Sequence, residues 1–453
     1  MTSTPKRRWF RFRLRTLLIL VMVFAVGFGI VTKRAVDQRK AVEVVRKYGG
    51  EIGYRHYFTP RGRDPLAERW APGWLCELLG EHYFVTVVEV ELGNWAHLKK
   101  QGAEPIEIIR PDEIALVINL PSLKKLQLAD VPITDAMLEE IGRLKDLEWL
   151  GLEGSKITDA GLAHISGLPQ LKELVLGSVN GYPRVRSTTA ITDTGLLHLK
   201  NLKTLECLSL AGTCVTDKGL SEIVMLPELS CLFLAETRVT DAGLVSLQRA
   251  QKLGDVWLQN TTITDEGLKT LSCLPNLLGL DLSGTQITDQ GLSYLAAAPK
   301  LVQLLLKRTS VTGTGLAGIT GLARVWLNDS RATDEGMKCI GQMPWLKVLV
   351  LENTAVTDAG LGELESLSQL HGLFLGRTRI TDAGLAKLSG LTRMDELGLD
   401  STGITDAGLA SLKPLSLRGL DLRGTQVTEP AAEAIRQTSR TEVLTDRNYD
   451  GVE

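Results

Sequence analysis

The 453-residue sequence predicts an α/β solenoid: a curved parallel sheet along one side and short helices or turns along the other. Three observations carry this. First, the tripeptide Ile/Val-Thr-Asp recurs, ending at Asp135, Asp159, Asp193, Asp217, Asp241, Asp265, Asp289, Asp334 (where Ala332 takes the first place), Asp358, Asp382 and Asp406, with Gly313 and Glu429 in the same slot of two degenerate copies. The step is 24 residues almost throughout, 34 after Asp159 and 21 after Gly313. Second, apolar residues recur at fixed places inside each copy. Third, the chain holds 44 Gly but only 8 Phe, 8 Trp and 7 Tyr within a hydrophobic fraction of 44%. That composition fits a small aliphatic unit repeated many times.

The elements follow in chain order. Residues 1–15 form a basic tail with Lys6, Arg7, Arg8, Arg11, Arg13 and Arg15. Residues 16–32 carry no charge. At about 1.5 Å per residue they span roughly 26 Å, enough for a bilayer core. Trp9, Phe10 and Phe12 suit the interfacial belt, and the basic tail favours a cytoplasmic amino terminus. The expected role is an uncleaved signal anchor; a cleaved signal peptide and a soluble helix are the alternatives. Residues 33–73 read as a juxtamembrane helix, Ala35 to Tyr48, ended by Gly49-Gly50, and a loop rich in Arg, Pro and Gly. Residues 74–115 read as a cap, with a short helix near Trp74–Leu79 and a repeat-like strand through Val87, Val90 and Leu92. The repeats occupy residues 116–436, about thirteen copies, and 437–453 form a tail.

In the copy from Leu277 to Leu292, Leu280 and Leu282 alternate about Asp281, so the leucines face inward and Asp281 outward. Ile287 returns to the core. Thr288 or Asp289 is expected to supply the oxygen that caps the following helix. Pro169, Pro227, Pro275, Pro299 and Pro344 stop the helix ten residues after each Asp. Each copy offers about six aliphatics, each worth roughly 1.5–3 kcal/mol if fully buried. One copy cannot bury them alone, but stacked copies can. A repeated Thr (Thr213, Thr237, Thr261, Thr285, Thr309, Thr354, Thr378, Thr402, Thr425) is expected to bond loop backbone of the adjacent coil.

This LxxLxL…T-x-[IV]-T-D-x-G-L pattern resembles the leucine-rich repeats of bacterial, planctomycete-type membrane-anchored proteins. The amino-terminal design is similar to that group as well. The repeats also resemble those of eukaryotic F-box receptors, although no F-box-like helical module precedes them. The resemblance implies a horseshoe of parallel strands and, for the anchored group, a single-pass protein with extracytoplasmic repeats. Its F-box side implies an intracellular adaptor or substrate receptor instead.

Charge and motifs narrow the function. Lys and Arg total 51 against 53 Asp and Glu, so a basic nucleic-acid-binding surface is not expected. Six Cys without short paired spacings supply neither a disulfide framework nor a CxxC zinc site. No GxSxG, P-loop, HExxH or GxGxxG stands in a strand–helix context, so neither an enzyme nor a cofactor is expected.

The outward strand slots should line the concave face, and aromatics concentrate there: Trp149, Phe233, Trp257, Trp326 and Phe374. Around them stand Gln259, Asn260, Lys307, Arg308, Arg324, Asn328, Glu352 and Arg377. Solvent-facing Trp and Arg amid mixed charge is the chemistry of protein or peptide recognition. Cross-strand stacking that merely stabilises the sheet, a polysaccharide ligand and a purely structural envelope role are the alternatives. The ten extra residues of the 34-residue step carry Tyr182, Arg184 and Arg186, and should bulge from one rim. His164 and His198, at equivalent helix positions, make a poor metal site. Cys207 and Cys231 occupy equivalent positions of neighbouring strands, where a disulfide would be strained.

Overall fold

The leucine alternation sets the strand length. Only the residues between two inward leucines need to be extended, so most strands are three residues long. The computed structural model describes residues 14–54, 87–92, 111–120, 122–177, 190–438 and 441–446. Among these, sixteen strands form one sheet in sequence order. They are β1 (Glu51–Tyr54), β2 (Val87–Leu92), β3 (Lys125–Leu128), β4 (Trp149–Gly151), β5 (Glu173–Val175), β6 (Cys207–Ser209), β7 (Cys231–Phe233), β8 (Asp255–Trp257), β9 (Gly279–Asp281), β10 (Gln303–Leu305), β11 (Arg324–Trp326), β12 (Val348–Val350), β13 (Gly372–Phe374), β14 (Glu396–Gly398), β15 (Gly419–Asp421) and β16 (Glu442–Leu444). β1 is antiparallel to β2, and every later neighbour is parallel. Pairing stays in register, so equivalent side chains form continuous rows across the sheet. The inward rows, such as Leu232, Val256, Leu280, Leu304, Val325 and Leu349, are fully buried.

Between strands the chain returns through helices of four to seven residues and 3-10 turns, and the Thr-Asp-x-Gly-Leu motif joins each turn to the one before. Asp241 illustrates it. Its Oδ1 accepts the Thr264 N–H at 2.9 Å and its Oδ2 the Thr264 hydroxyl at 2.6 Å. Asp265 receives Thr288 in the same way. In most copies the Thr hydroxyl in turn accepts the amide two residues on, as Thr264 does from Glu266, although Thr134, Thr240 and Thr333 make no such bond. The Gly leaves room for the preceding carboxylate: a Cβ on Gly267 would lie 2.5 Å from Asp241 Oδ1. Of the two residues expected to cap the helix, Thr288 or Asp289, the capping oxygen comes from Thr288. Thr does the capping, and Asp bolts its coil to the next.

The ladder is interrupted once within the array. Asp289 holds the N–H groups of Thr312, Gly313 and Gly315 and the Thr312 hydroxyl. Burial opposes its ionisation, but these donors outweigh burial and keep the carboxyl below the usual range. Gly313 has no carboxylate to pass the contact on. Thr333 instead donates its N–H to the Thr312 carbonyl at 3.1 Å. The backbones close in here, and a Cβ on Gly313 would stand 3.1 Å from Gly336 Cα.

The second repeated Thr also differs from expectation. Its hydroxyl donates within its own coil, to the carbonyl three residues earlier, at 2.6–2.7 Å for Thr213, Thr237, Thr354 and Thr378. This bond closes the tight turn after each strand. That turn also demands a left-handed residue, which is Asn260, Arg308, Asp329, Asn353 or Arg377 in successive coils and Gly284 in another.

A helix packs at each described end of the array. At the carboxy end, the helix Glu429–Thr438 packs beside β16, and Arg436 bonds Glu429 at 2.7 Å and the Val443 carbonyl at 3.1 Å. Residues 441–446 thus complete the sheet where a tail was expected to begin at 437. At the amino end, helix α1 (Leu14–Lys47) is one uninterrupted helix of 34 residues. The expected anchor and juxtamembrane helix are therefore a single element. Its second half buries Ala35, Ala41, Val42, Val45 and Tyr48 against the array and helix α2 (Pro111–Ile118). Tyr48 donates its hydroxyl to Glu113 at 2.5 Å, and Lys47 pairs with Glu113 at 2.9 Å.

In the first half of α1, the side chains at 14–18, 20, 24, 27, 28 and 31 lie outside the described set. Among the described residues, no helix is long and apolar enough to cross a membrane. The expected short helix near Trp74–Leu79 and the rim residues Tyr182, Arg184 and Arg186 lie outside the described residues.

Candidate functional site

The register brings the outward residues of successive strands into rows. The central row reads Phe233, Trp257, Asp281, Leu305, Trp326, Val350 and Phe374 from β7 to β13, each paired with the next. Leu305, Trp326, Val350 and Phe374 thus form one apolar strip over four adjacent strands, and Phe233 with Trp257 forms a second, shorter one. Asp281 separates the two.

The expectation of solvent-facing aromatics needs correction. Trp149, Phe233, Trp257, Trp326 and Phe374 are all half-buried. Side chains on a sheet lean on their neighbours, and the rows are dense enough to cover much of each ring. Phe233 and Trp257 stack with centroids 5.4 Å apart and planes at 21°. Phe374 lies against Gly372 and Gly398: a Cβ on Gly398 would be 2.9 Å from its Cδ1. Trp149 folds over Gly151 and carries the Lys125 ammonium 5.4 Å above its ring. Lys125 itself pairs with Glu89 and Glu91 at 2.6 and 2.5 Å. Trp149 thus lies four strands from β8 and belongs with the charged amino-terminal end of the sheet.

The next outward row lies two residues further along each strand and includes Gln259, Ser283, Lys307, Asn328 and Glu352. Asp281, only 3% exposed, accepts Gln259 Nε2 at 2.6 Å and the Ser283 amide at 2.8 Å. Burial pushes its carboxyl above the usual range, against those bonds and the nearby Lys307 charge. Burial likewise raises Glu352, helped by the Asp400 charge and opposed by Lys307 and Arg377. Asp400 is raised by burial and by Asp421, with Arg423 and Arg377 opposing. Beyond this row stand the left-handed turn residues. Arg308 reaches over Gly284 to Asn260 at 3.3 Å, and Asn353 donates to Asp329 at 2.8 Å. Arg324, exposed at the start of β11, flanks the strip on its other side.

Polar atoms on this face lack partners. Trp257 Nε1, Gln259 Oε1 and Asn328 Oδ1 are buried without a hydrogen bond. A buried donor or acceptor left so costs about 1–3 kcal/mol. The three lie beside or between the apolar strips, covered by neighbouring side chains, so a partner would reach them only as those side chains rearrange. The arrangement offers apolar contact, matched polar atoms and charges of both signs, which is the equipment of a recognition surface.

Other candidates sort themselves out. Cys207 and Cys231 are direct cross-strand partners and both are free thiols. Their mutual hydrogen bond and burial push the Cys231 thiol well up. Among the described residues, no group of three His, Cys, Asp or Glu could hold a metal ion. One aromatic escaped sequence reasoning. Trp345, 63% exposed, precedes the inward Leu346 in a connecting turn. Its slot is filled by Asn276 and Lys300 in earlier copies, and that mismatch was the available signal.

The Leucine Rich repeat family model matches residues 201–224 and 273–296, each the length of one copy of the repeat. No curated protein matches it significantly. Among solved structures it is similar to an internalin from Listeria monocytogenes, at 25% identity over 61% of this chain and 81% of that one, TM-score 0.46. A leucine-rich repeat protein of Leptospira interrogans aligns at 20% identity over 75% and 81%, TM-score 0.41. The protein chain of a TLR13–ssRNA13 complex aligns at 16% identity over 69% of this chain and half of its own length (50%), TM-score 0.44.

Proposed function

We propose that this is a non-enzymatic, membrane-anchored leucine-rich repeat protein that holds a protein or peptide partner against its concave face. The observation that carries the reading is the strip Leu305–Trp326–Val350–Phe374, bordered by the unpartnered polar atoms of Gln259, Trp257 and Asn328. The turn residues add support. Arg308 and Arg377 hold left-handed backbone at φ 54° and 57°, where Gly or Asn would sit with less strain. Bulky cations at such places favour a use for the side chain.

Anchoring rests on α1. Ile19, Val21, Met22, Val23, Val26 and Ile30 are all 57–70% exposed. A water-soluble helix would not present so many bare aliphatics, whereas a lipid-embedded one would. The basic residues before the span favour a cytoplasmic amino terminus and extracytoplasmic repeats.

The stacked pair narrows the site. Phe233 and Trp257 already satisfy each other, so part of their role is to stiffen the sheet, and Trp326 is the cleaner anchor. Replacing Trp326 with Ala should abolish retention of the partner in a pull-down while the circular dichroism spectrum stays unchanged. Undiminished retention by a folded variant would remove the strip as the binding surface. An F-box-like adaptor would stay in the soluble fraction after simple fractionation, which separates that reading from this one.

A further inference from the structure

We infer that α1 is a rigid strut that joins the membrane span to the end cap of the array without a flexible linker. The inference rests on the anchoring proposed above and adds the mechanical coupling. The helix runs from Leu14 to Lys47 without a break, about 51 Å at 1.5 Å per residue. No Pro occurs in it, and its two Gly, Gly27 and Gly29, lie inside the uncharged stretch, so neither breaker stands between Thr32 and the docked half. Thr32 ends the uncharged stretch, its hydroxyl donating to the Gly29 carbonyl at 3.0 Å, and the helix continues through it. Lys33 and Arg34, both exposed, follow at once. Ala35 is already buried, only three residues or about 4.5 Å above Thr32.

The two halves of the helix differ in the way a strut requires. Below Thr32, the described aliphatics are bare. Above it, the buried positions Ala35, Gln38, Ala41, Val42, Val45 and Tyr48 recur every three or four residues, a single stripe that docks on the array. The far end is clamped twice. Tyr48 and Lys47 both bond Glu113 of α2. Gly50 then lies so close to β2 that a Cβ would stand 2.4 Å from the Glu91 carbonyl oxygen. The array therefore stands directly on the headgroups, with Lys33 and Arg34 at phosphate level, and cannot swivel independently of its span.

The test uses the full chain in phosphatidylcholine vesicles. Its native cysteines are replaced by serine, and a bifunctional, long-lived ruthenium label bridges Glu433→Cys and Gln437→Cys on the exposed face of the carboxy-terminal helix. Time-resolved anisotropy then reports whether the array tumbles on its anchor. Three forms are compared: no insertion, four Ala inserted after Lys33, and Gly-Ser-Gly-Ser inserted there. A rigid strut predicts high and equal residual anisotropy for the first two, and a loss of half or more for the third. If the uninserted chain decays to the level of the Gly-Ser form, the strut is refuted although the chain remains membrane-bound. If the chain fails to float with the vesicles, the anchoring itself is refuted, and the strut with it.

Discussion

The inter-coil ladder makes a prediction in which two substitutions cancel. Asp382 Oδ1 accepts the Thr405 amide at 2.9 Å and Oδ2 the Thr405 hydroxyl at 2.6 Å. A hydrogen bond to a charged group is worth about 1.5–3 kcal/mol. This carboxylate is half-exposed, so water replaces part of that, and Asp382→Ala should cost about 2 kcal/mol. Gly408 lies beneath the same carboxylate: a Cβ there would be 2.2 Å from Oδ1 and 2.9 Å from Cγ. Gly408→Ala alone must therefore expel the carboxylate and lose the same bonds, at about 2–3 kcal/mol including strain. With Asp382 already shortened to Ala, the nearest remaining atom is Cβ at 3.3 Å, and the added methyl is tolerated. The double variant should cost about 2 kcal/mol, roughly 2 less than the sum. Local opening, read by hydrogen exchange at the Thr405 amide, suits an array whose coils need not unfold together. Costs that add to within about 0.5 kcal/mol would refute the idea that Gly is there to admit the preceding Asp.

Four further outcomes follow from the same geometry. Phe233→Leu should lower stability by about 1 kcal/mol through loss of the stacked ring, measured by urea unfolding, while leaving partner retention largely intact. Tyr48→Phe removes one donor from the buried Glu113 and should cost about 1–2 kcal/mol, seen as faster hydrogen exchange in α2. Asp281 has a folded pKa raised by burial, so wild-type stability is lost as pH rises from the ordinary Asp value through the raised one. Asp281→Asn lacks that loss, so its stability relative to wild type should improve from pH 4 to pH 7 in paired unfolding curves, and a constant difference would contradict the assignment. In iodoacetamide labelling followed by mass spectrometry, exposed Cys214 and Cys273 should react first and Cys231 slowest, because its thiol is pushed up by Cys207 and by burial.

How much of this was legible in the sequence depends on the kind of contact. Leu280 and Leu282 declare their strand because a period of two is a local property, and copies of a known period declare the stacking. The partner of Asp241 is not local. Thr264 lies 23 residues on, and only stacked coils show that the carboxylate serves the next turn and not its own helix. The Gly of the motif answers to a distant neighbour as well, the Asp of the previous copy, which no local pattern displays. Outward aromatics could be placed in the right row, yet their half-burial depends on flanking residues such as Gly372 and Gly398, which a slot-by-slot reading ignores. The continuity of α1 was hidden by the change from an apolar stretch to an amphipathic one at Lys33-Arg34. A change of solvent looks like a boundary in sequence, but it need not interrupt a helix.

The claim that the concave strip is where a partner sits is tested most directly by site-specific photo-cross-linking in the cells that make the protein. A benzophenone amino acid would replace Trp326 on the strip and, as a control, Val245, which is exposed on a connecting 3-10 turn away from the strands. The account predicts a discrete cross-linked polypeptide of constant mass from position 326 and none from position 245. Equal adduct patterns from both positions, or no adduct from 326 while the chain is folded and present in the membrane fraction, would contradict it.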